Sequence, residues 1–265
     1  MKLTDIGVIF VAVFICFNVV TDIRMNMTSK VSNEQIKYNN AIDTAVNDGM
    51  FMLVESDDGR KISMDTDKAV DVFLKSLAVN MGLDLTQYNK ERFMEYIPVI
   101  AFALDDGVVI YHHDVVDDNG NKKDKFVKEA LIPYRRVQDD LLAEYCLGDN
   151  LTIYSVNDYI TGKRDELKEI YNIPFLNDED FESKKSQTIV DTITDNLKKY
   201  SSTDYFTNKV DDYSYFIPYE NDGIWSRTVH DISMFVMFSG YPYSDDSLGY
   251  YSKFAFGGAR LWKKE

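Results

Sequence analysis

The first pattern along the chain is an uninterrupted apolar run near its N-terminus. From Ile6 to Val20 the sequence reads IGVIFVAVFICFNVV, with no charged residue and one strongly polar residue, Asn18. A transmembrane helix needs roughly 20 apolar residues, so this run is short for a membrane span. Three interpretations compete for it: an uncleaved N-terminal membrane anchor, a secretory signal peptide, and a buried core helix of a soluble domain.

The residues that flank the run favour the uncleaved anchor. A signal peptide has a basic N-terminal region and a cleavage site of small residues. Here Lys2 is accompanied by Asp5, and Thr21-Asp22-Ile23-Arg24 follows the run without a small-residue pattern. We therefore expect the run to stay attached and to serve in anchoring and assembly. The residues assigned to that role are Ile6, Phe10, Val13, Phe14, Phe17 and Asn18.

Beyond the run, apolar residues recur at helical spacing as far as Met52. The series Ile23, Met27, Val31, Tyr38, Ile42 and Ala45 is spaced mostly by three, four or seven residues, which is the period of an amphipathic helix. Neither Pro nor Gly interrupts it before Gly49. The sequence therefore predicts one continuous helix. It also divides the chain into an anchor with its amphipathic extension, residues 1–52, and an α+β domain, residues 53–265.

Three more helices are predicted in the second part of the chain. Asp65 or Thr66 can cap a helix whose apolar face includes Phe73 and Leu77, and Gly82 ends it. A short helix follows from Thr86 to Tyr96. A third runs from Asp180 to Tyr200, where Ile189, Val190, Ile193 and Leu197 share one face.

The clearest strand signal is a hairpin around Asp105-Asp106-Gly107. Ile97–Leu104 and Val108–Val116 flank that turn, and the first of them is apolar on both faces, which predicts a central strand. Other predicted strands are 126–132, 141–147, 151–156, 229–243 and 250–262, with tight turns at Asp58-Gly59 and Asn119-Gly120. For residues 229–238 a helix is the alternative. The resulting fold class is α+β, with a mostly antiparallel sheet and flanking helices behind the long N-terminal helix.

Charge narrows the range of partners. The chain has a net charge of −15 at pH 7, whereas nucleic-acid binding needs clustered Lys and Arg to neutralise phosphates. We therefore expect no nucleic-acid partner. The only cysteines are Cys16, inside the apolar run, and Cys146, so the sequence contains no disulfide framework.

Residues that could support chemistry are sparse. His112-His113-Asp114 lies on a predicted strand, where neighbouring side chains point to opposite faces, so the two imidazoles cannot converge on one metal. We expect one of these histidines to be buried and the other exposed. Residues 117–121 do not fit the register of a calcium loop. Gly257-Gly258 lacks nucleotide-loop spacing and predicts a bulge or a close backbone contact.

The sequence also lacks the G-x-S-x-G elbow of serine hydrolases. We therefore assign no catalytic, cofactor-binding or metal-binding residue and expect a non-enzymatic protein that carries no cofactor.

The overall plan resembles that of the pilin-like and pseudopilin-like membrane proteins of Tad (Flp) pilus and type II secretion-like systems in Clostridia. Three stretches carry the resemblance: the N-terminal run leading into KYNNAIDTAVNDGM, then YIPVIAFALDDGVVIY, and finally HDISMFVMFSGYPY with FAFGGARL. Such subunits pack apolar N-terminal helices into a central bundle and display globular domains outside it. The resemblance implies processing at Gly7; five residues later stands Ala12, where that family usually has Glu.

The resemblance also implies a location and a set of partners. It predicts a single-pass protein of the cell membrane, with the C-terminal domain outside the cell and other pilin-like or secretion-system subunits as partners. Arg24, Lys30 and Lys37 follow the apolar run and by themselves would favour a cytoplasmic C-terminal side. We follow the family plan on this point.

Three functional hypotheses result, and one of them, a membrane-anchored hydrolase, is disfavoured by the missing catalytic motifs. The first is a structural or assembly component of a pilus or secretion-type surface apparatus, anchored or polymerised through its N-terminal helix. The alternative is a membrane-anchored extracytoplasmic domain that binds a ligand or acts as a sensor. Sensors of that kind usually continue into a second transmembrane helix, and the sequence predicts none after the first, which favours the structural role.

Overall fold

The fold is a long N-terminal helix followed by antiparallel sheets with flanking helices. The computed structural model of the chain describes residues 3–57, 61–118, 121–156, 158–201, 230–244 and 248–259. The helices are α1 Leu3–Leu53, α2 Thr66–Asn80, α3 Gln87–Met94, α4 Arg164–Ile170 and α5 Phe181–Ser201. The α+β class predicted from the sequence is confirmed.

The strands form antiparallel ladders throughout the described residues. They are β1 Val54–Asp57, β2 Lys61–Met64, β3 Val99–Leu104, β4 Gly107–Asp118, β5 Asn121–Lys128, β6 Tyr134–Gln138, β7 Leu141–Tyr145, β8 Asn150–Tyr154, β9 Tyr159–Lys163, β10 Ile232–Pro242 and β11 Tyr250–Ala259. The pair β1-β2 stands alone, while the others form one sheet in the order β11-β10-β3-β4-β5 and a second in the order β6-β7-β8-β9.

Helix α1 is continuous over 51 residues, as its uninterrupted apolar periodicity predicted. At 1.5 Å per residue it is about 76 Å long. Only its C-terminal third belongs to the core, where Ile42, Ala45, Val46 and Leu53 are fully buried. The same helix therefore has one end packed in the globular part and one end that projects from it.

The five-stranded sheet is covered on both faces. Helices α1 and α2 pack on one face, where Tyr111 Oη of β4 lies 2.7 Å from Thr66 Oγ1 of α2. Helix α5 packs on the other face against β3 and β4. All six residues of β3 are buried, because this strand lies in the middle of the sheet and its side chains meet helices on both sides. The prediction of a central, doubly apolar strand is confirmed.

The second sheet attaches to the first through the turn between β3 and β4. Tyr134 Oη of β6 donates to the backbone oxygens of Leu104 (3.1 Å) and Gly107 (3.0 Å). The backbone N–H of Leu147 donates to Asp105 O (2.8 Å). These bonds satisfy carbonyl groups at the end of the central hairpin and fix the β7–β8 loop beside it.

Helix α2 has the cap and the stop residue predicted for it, and α3 has a cap that was not predicted. The Asp65 carboxylate accepts a hydrogen bond from Lys68 N (2.9 Å), and the Thr86 hydroxyl accepts one from Asn89 N (3.1 Å). Gly82 follows α2 with φ +79°, a conformation that favours glycine and stops the helix.

Other boundaries differ from the prediction. The strand expected at 126–132 is β5, which begins and ends earlier; Ile132 forms only an isolated bridge with Val108. The strands β6 and β9 and the helix α4 were not predicted. The turns predicted at Asp58-Gly59 and Asn119-Gly120 lie outside the described residues, as do residue 229 and residues 260–262 of the two C-terminal strands.

Candidate membrane and assembly helix

The N-terminal part of α1 exposes its apolar side chains. Within the described residues, α1 is the one helix long and apolar enough to cross a membrane. It contains an 18-residue stretch with a mean hydropathy of 1.5, none of which is buried by the rest of the chain. Exposure of such a surface to water is unfavourable by about 25 cal/mol per Å² of apolar area, so contact with lipid or with another protein would stabilise it.

The residues assigned to anchoring lie together on this segment. Phe10, Val13, Phe14 and Phe17 are between 58% and 71% exposed. The rings of Phe10 and Phe14 stack with centroids 6.4 Å apart. Ile6 also belongs to α1, although its side chain lies outside the described residues.

The segment of α1 from Phe10 to Val20 is apolar on every face, and its aromatic rings lie on one face. Phe10, Phe14 and Phe17 follow the i, i+4, i+7 spacing that places side chains on one helix face. The remaining sides carry exposed Val11, Ile15, Val19 and other aliphatic residues. A helix that is apolar all round is typical of a membrane span or of the centre of a helical bundle.

Three polar side chains of the segment donate to the backbone of the helix itself. Asn18 Nδ2 donates to Phe14 O at 2.7 Å, and Thr21 Oγ1 donates to Phe17 O at 2.8 Å. Farther along, Thr28 Oγ1 donates to Arg24 O at 2.9 Å. Because these donors are paired with backbone carbonyls four residues earlier, the cost of placing them in an apolar phase is reduced.

The predicted processing residue, Gly7, lies in the second turn of α1. Apart from its two chain neighbours and the nearby backbone of α1, no described atom lies within 4 Å of the position that a Cβ would occupy. The structure therefore places Gly7 on an accessible stretch of helix, away from the globular part.

A polar junction attaches α1 to the β10–β11 hairpin. The Glu34 carboxylate accepts hydrogen bonds from the Ser244 backbone N–H, at 2.9 Å, and from its hydroxyl. Five residues later along α1, Tyr251 Oη donates to Asn39 Oδ1 at 2.6 Å. These partners are more than 200 residues apart in sequence, so no local pattern could have revealed the junction.

An aromatic cluster reinforces the junction. The ring of Tyr38 lies 5.3 Å from that of Tyr241, 6.0 Å from that of Tyr243 and 5.3 Å from that of Tyr251, between centroids. Tyr38 is only 8% exposed. Edge and stacked contacts of this kind add to the stabilisation from buried area. Together with the polar contacts, they fix the direction in which α1 leaves the sheet.

The two adjacent histidines are both buried, so the prediction that one is exposed is wrong. Each is 4% exposed, because β4 is covered on both faces. His112 faces α5, where its ring lies 4.3 Å from that of Tyr200. His113 faces the other way, and its Nε2 donates to Met94 O at 2.8 Å. As the strand geometry predicted, the two imidazoles point to opposite faces of the sheet.

Across the described parts of the chain, no group of three or more His, Cys, Asp or Glu side chains is arranged to hold a metal ion. Both cysteines are free thiols. Burial raises the pKa of the Cys146 thiol to about 11, which keeps it protonated and weakly nucleophilic near neutral pH.

Comparison of the chain with protein-family models, with curated proteins and with solved structures finds no match.

Proposed function

We propose that this protein is a non-enzymatic structural or assembly component of a cell-surface apparatus. The N-terminal part of α1 would anchor it in the membrane or pack against the same helix of other subunits. The observation that supports this proposal is the difference in solvent exposure between the apolar side chains at the two ends of α1. Phe10 and Phe17 are 71% and 68% exposed, whereas Ile42, Ala45 and Val46 of the same continuous helix are fully buried.

Burial of the exposed apolar side chains of the N-terminal segment against lipid or other helices would lower the free energy of the protein. Burying one large apolar side chain stabilises by about 1.5–3 kcal/mol, and α1 exposes several of them from Phe10 to Val20. Lipid or neighbouring helices would both provide that cover. The hydrogen bonds that Asn18 and Thr21 donate to backbone carbonyls of the helix lower the cost of covering these side chains.

The middle of α1 acts as a spacer between the two ends. Glu34 is the first residue of α1 with a described hydrogen bond to the hairpin, and it follows Val20 by 14 positions. Fourteen residues of α-helix span about 21 Å. With the junction at Glu34 and Tyr38 holding its direction, α1 would keep the acidic globular part clear of the membrane surface.

The resemblance to pilin-like and pseudopilin-like proteins extends this proposal to partners and location. We propose a single-pass protein of the cell membrane whose C-terminal part is outside the cell and whose partners are other pilin-like or secretion-system subunits. Helix α1, whose N-terminal end is apolar and projects while its C-terminal end packs in the core, fits the plan of a pilin-like subunit. An antiparallel sheet beside the core-packed end suits it as well.

Fractionation of cells that express the full chain tests this role. We expect the protein in material sheared mechanically from the surface if it polymerises, and in the membrane fraction if it acts as an anchored assembly factor. N-terminal sequencing of the sheared band would test processing at Gly7. Recovery of the full-length protein mainly from the soluble fraction would contradict the proposal.

A further inference from the structure

A second candidate site lies far from α1, at the edge of the four-stranded sheet. It is a cleft of about 350 Å³ between β7–β9 and the first residues of α4 and α5. Ligand pockets usually have volumes of about 300–1,000 Å³, so this one suits a small molecule. Because no residue of α1 lines the cleft, a role for it would be independent of anchoring and assembly.

The cleft is lined by equal numbers of basic and acidic residues. Its basic residues are Lys163, Arg164 and Lys185, and its acidic residues are Asp149, Asp165 and Glu182. Elsewhere acidic residues dominate, since the whole chain has 44 acidic and 29 basic residues. A simple anion would meet the carboxylates and a simple cation would meet the basic groups. A ligand that carries one charge of each sign would be complementary to both sets.

Arg164 makes one wall of the cleft rigid. Its Nε donates to Leu176 O at 3.0 Å and its Nη2 donates to Asp178 O at 2.9 Å. Its guanidinium also lies 4.2 Å from the centroid of the Phe181 ring. Because Arg164 is held by backbone carbonyls and an aromatic face, the starts of α4 and α5 stay together around the opening.

Lys185 places a partly desolvated ammonium group at the cleft. It projects from the first turns of α5, and its Nζ donates to Gly148 O of the β7–β8 loop. Among the described residues this is its one hydrogen bond, whereas an ammonium group has three donors. Burial lowers the pKa of Lys185, and the nearby Glu182 and Asp149 carboxylates oppose that shift. A ligand carboxylate would satisfy the remaining donors.

The floor of the cleft is already packed. Tyr145, Leu151 and Phe181 are at most 3% exposed, and the rings of Tyr145 and Phe181 meet edge to face at 5.9 Å. Little apolar surface is therefore left for a ligand to cover. Recognition would depend on charge and hydrogen bonding, which favours a small polar molecule over a lipid or a large aromatic compound.

We propose that this cleft binds a small zwitterion of the α-amino acid class. Its carboxylate would bind Lys185 and Lys163. Its ammonium group would bind Asp165 and Glu182, and Glu182 would share it with Arg164, whose Nη1 lies 3.5 Å from Glu182 Oε1. This site would give the chain a ligand-binding role in addition to the role proposed for α1.

Calorimetric titration of the full chain in detergent micelles tests the site. The probes are the individual standard amino acids at millimolar concentration, each compared with its N-acetyl and carboxamide derivatives. We expect at least one free amino acid to bind and both of its derivatives to bind at least tenfold more weakly, because each derivative lacks one charge. Failure of every free amino acid to bind, or equal binding of the derivatives, would overturn the proposal.

Variants connect any binding to the cleft. We expect Lys185→Met to weaken the binding at least tenfold and Lys198→Met, which removes an exposed lysine from the far end of the same helix, to leave it unchanged. Asp165→Asn tests the proposed contact with the ammonium group of the ligand. Because Asp165 is exposed, this variant remains informative even if Lys185→Met fails to fold. Wild-type affinity in a folded Lys185→Met or Asp165→Asn protein would place the ligand elsewhere. Neither result would affect the proposed role of α1, because membrane fractionation measures that role separately.

Discussion

Gly257 of β11 lies directly against Val46 of α1. A Cβ at Gly257 would lie 2.8 Å from Val46 Cγ1 and 3.2 Å from Met50 Cγ, closer than packed carbon atoms approach each other. The absence of a side chain at this position lets the long helix lie flat on the edge of the five-stranded sheet. The close contact predicted for the Gly257-Gly258 pair is therefore explained by the passage of α1 over β11.

Gly257→Val should destabilise the globular part by about 1–3 kcal/mol, the usual cost of adding side-chain volume to a packed core. Val46 is fully buried and cannot move aside freely. The measurement is denaturant unfolding of the full chain in detergent. Gly258→Val is the matched control, because the nearest neighbour of the new side chain would be the partly buried Phe256 ring, at 3.3 Å, and not a residue of α1. Equal stability of the two variants would show that α1 does not pack closely on β11.

Tyr38→Ala should loosen the junction between α1 and the hairpin. It removes a buried ring that contacts three other tyrosines, and deletion of a buried aromatic side chain usually costs about 3–5 kcal/mol. Tyr38→Phe keeps the ring and is the control, for which we expect near-wild-type stability. Unfolding free energies measure both effects, and a stable Tyr38→Ala protein would argue against a rigid junction.

Alkaline pH should unfold the globular part through its buried tyrosines. Burial raises the pKa of Tyr111, Tyr134 and Tyr251, so the folded chain keeps these protons above pH 10, where unfolded tyrosine loses them. The folded state then binds more protons, and its stability falls as pH rises from about 10 towards the raised pKa values.

The tyrosinate absorbance and the circular dichroism, recorded over the same alkaline titration, check this expectation. Part of the tyrosinate signal should appear only together with unfolding. Tyr111→Phe should make the loss of stability with pH less steep. Complete ionisation of all tyrosines near pH 10 in a folded chain would contradict the burial of these side chains.

Helices, strands and helix caps could be predicted from the sequence where the spacing of apolar residues or a capping residue determines them. The helical period of α1, the apolar residues on both faces of β3 and the cap at Asp65 each depend on residues close together in the chain. Helix α5 was predicted almost to its observed ends, because its apolar face is regular. The fold class followed from the order of these elements.

The parts that were missed depend on distant contacts. Strand β9, with the sequence YITGK, has weak apolar alternation and is held by its pairing with β8. The burial of both His112 and His113 depends on helices that cover opposite faces of β4. The cleft near Lys185 combines residues of β7–β9, α4 and α5. None of these arrangements is encoded in a local pattern.

The most direct test of the role of α1 is membrane fractionation of Val13→Asp. Val13 lies at the centre of the apolar run and is 63% exposed, and an Asp at the centre of a membrane span costs about 2.5–3.5 kcal/mol. Phe51→Asp is the matched control, since Phe51 belongs to the same helix, is 81% exposed and lies beside the globular part.

We predict that the wild type and Phe51→Asp are recovered with membranes or with sheared surface material, and that Val13→Asp becomes soluble while its globular part stays folded. Recovery of Val13→Asp with membranes and sheared material at the wild-type level would contradict the proposed role of α1.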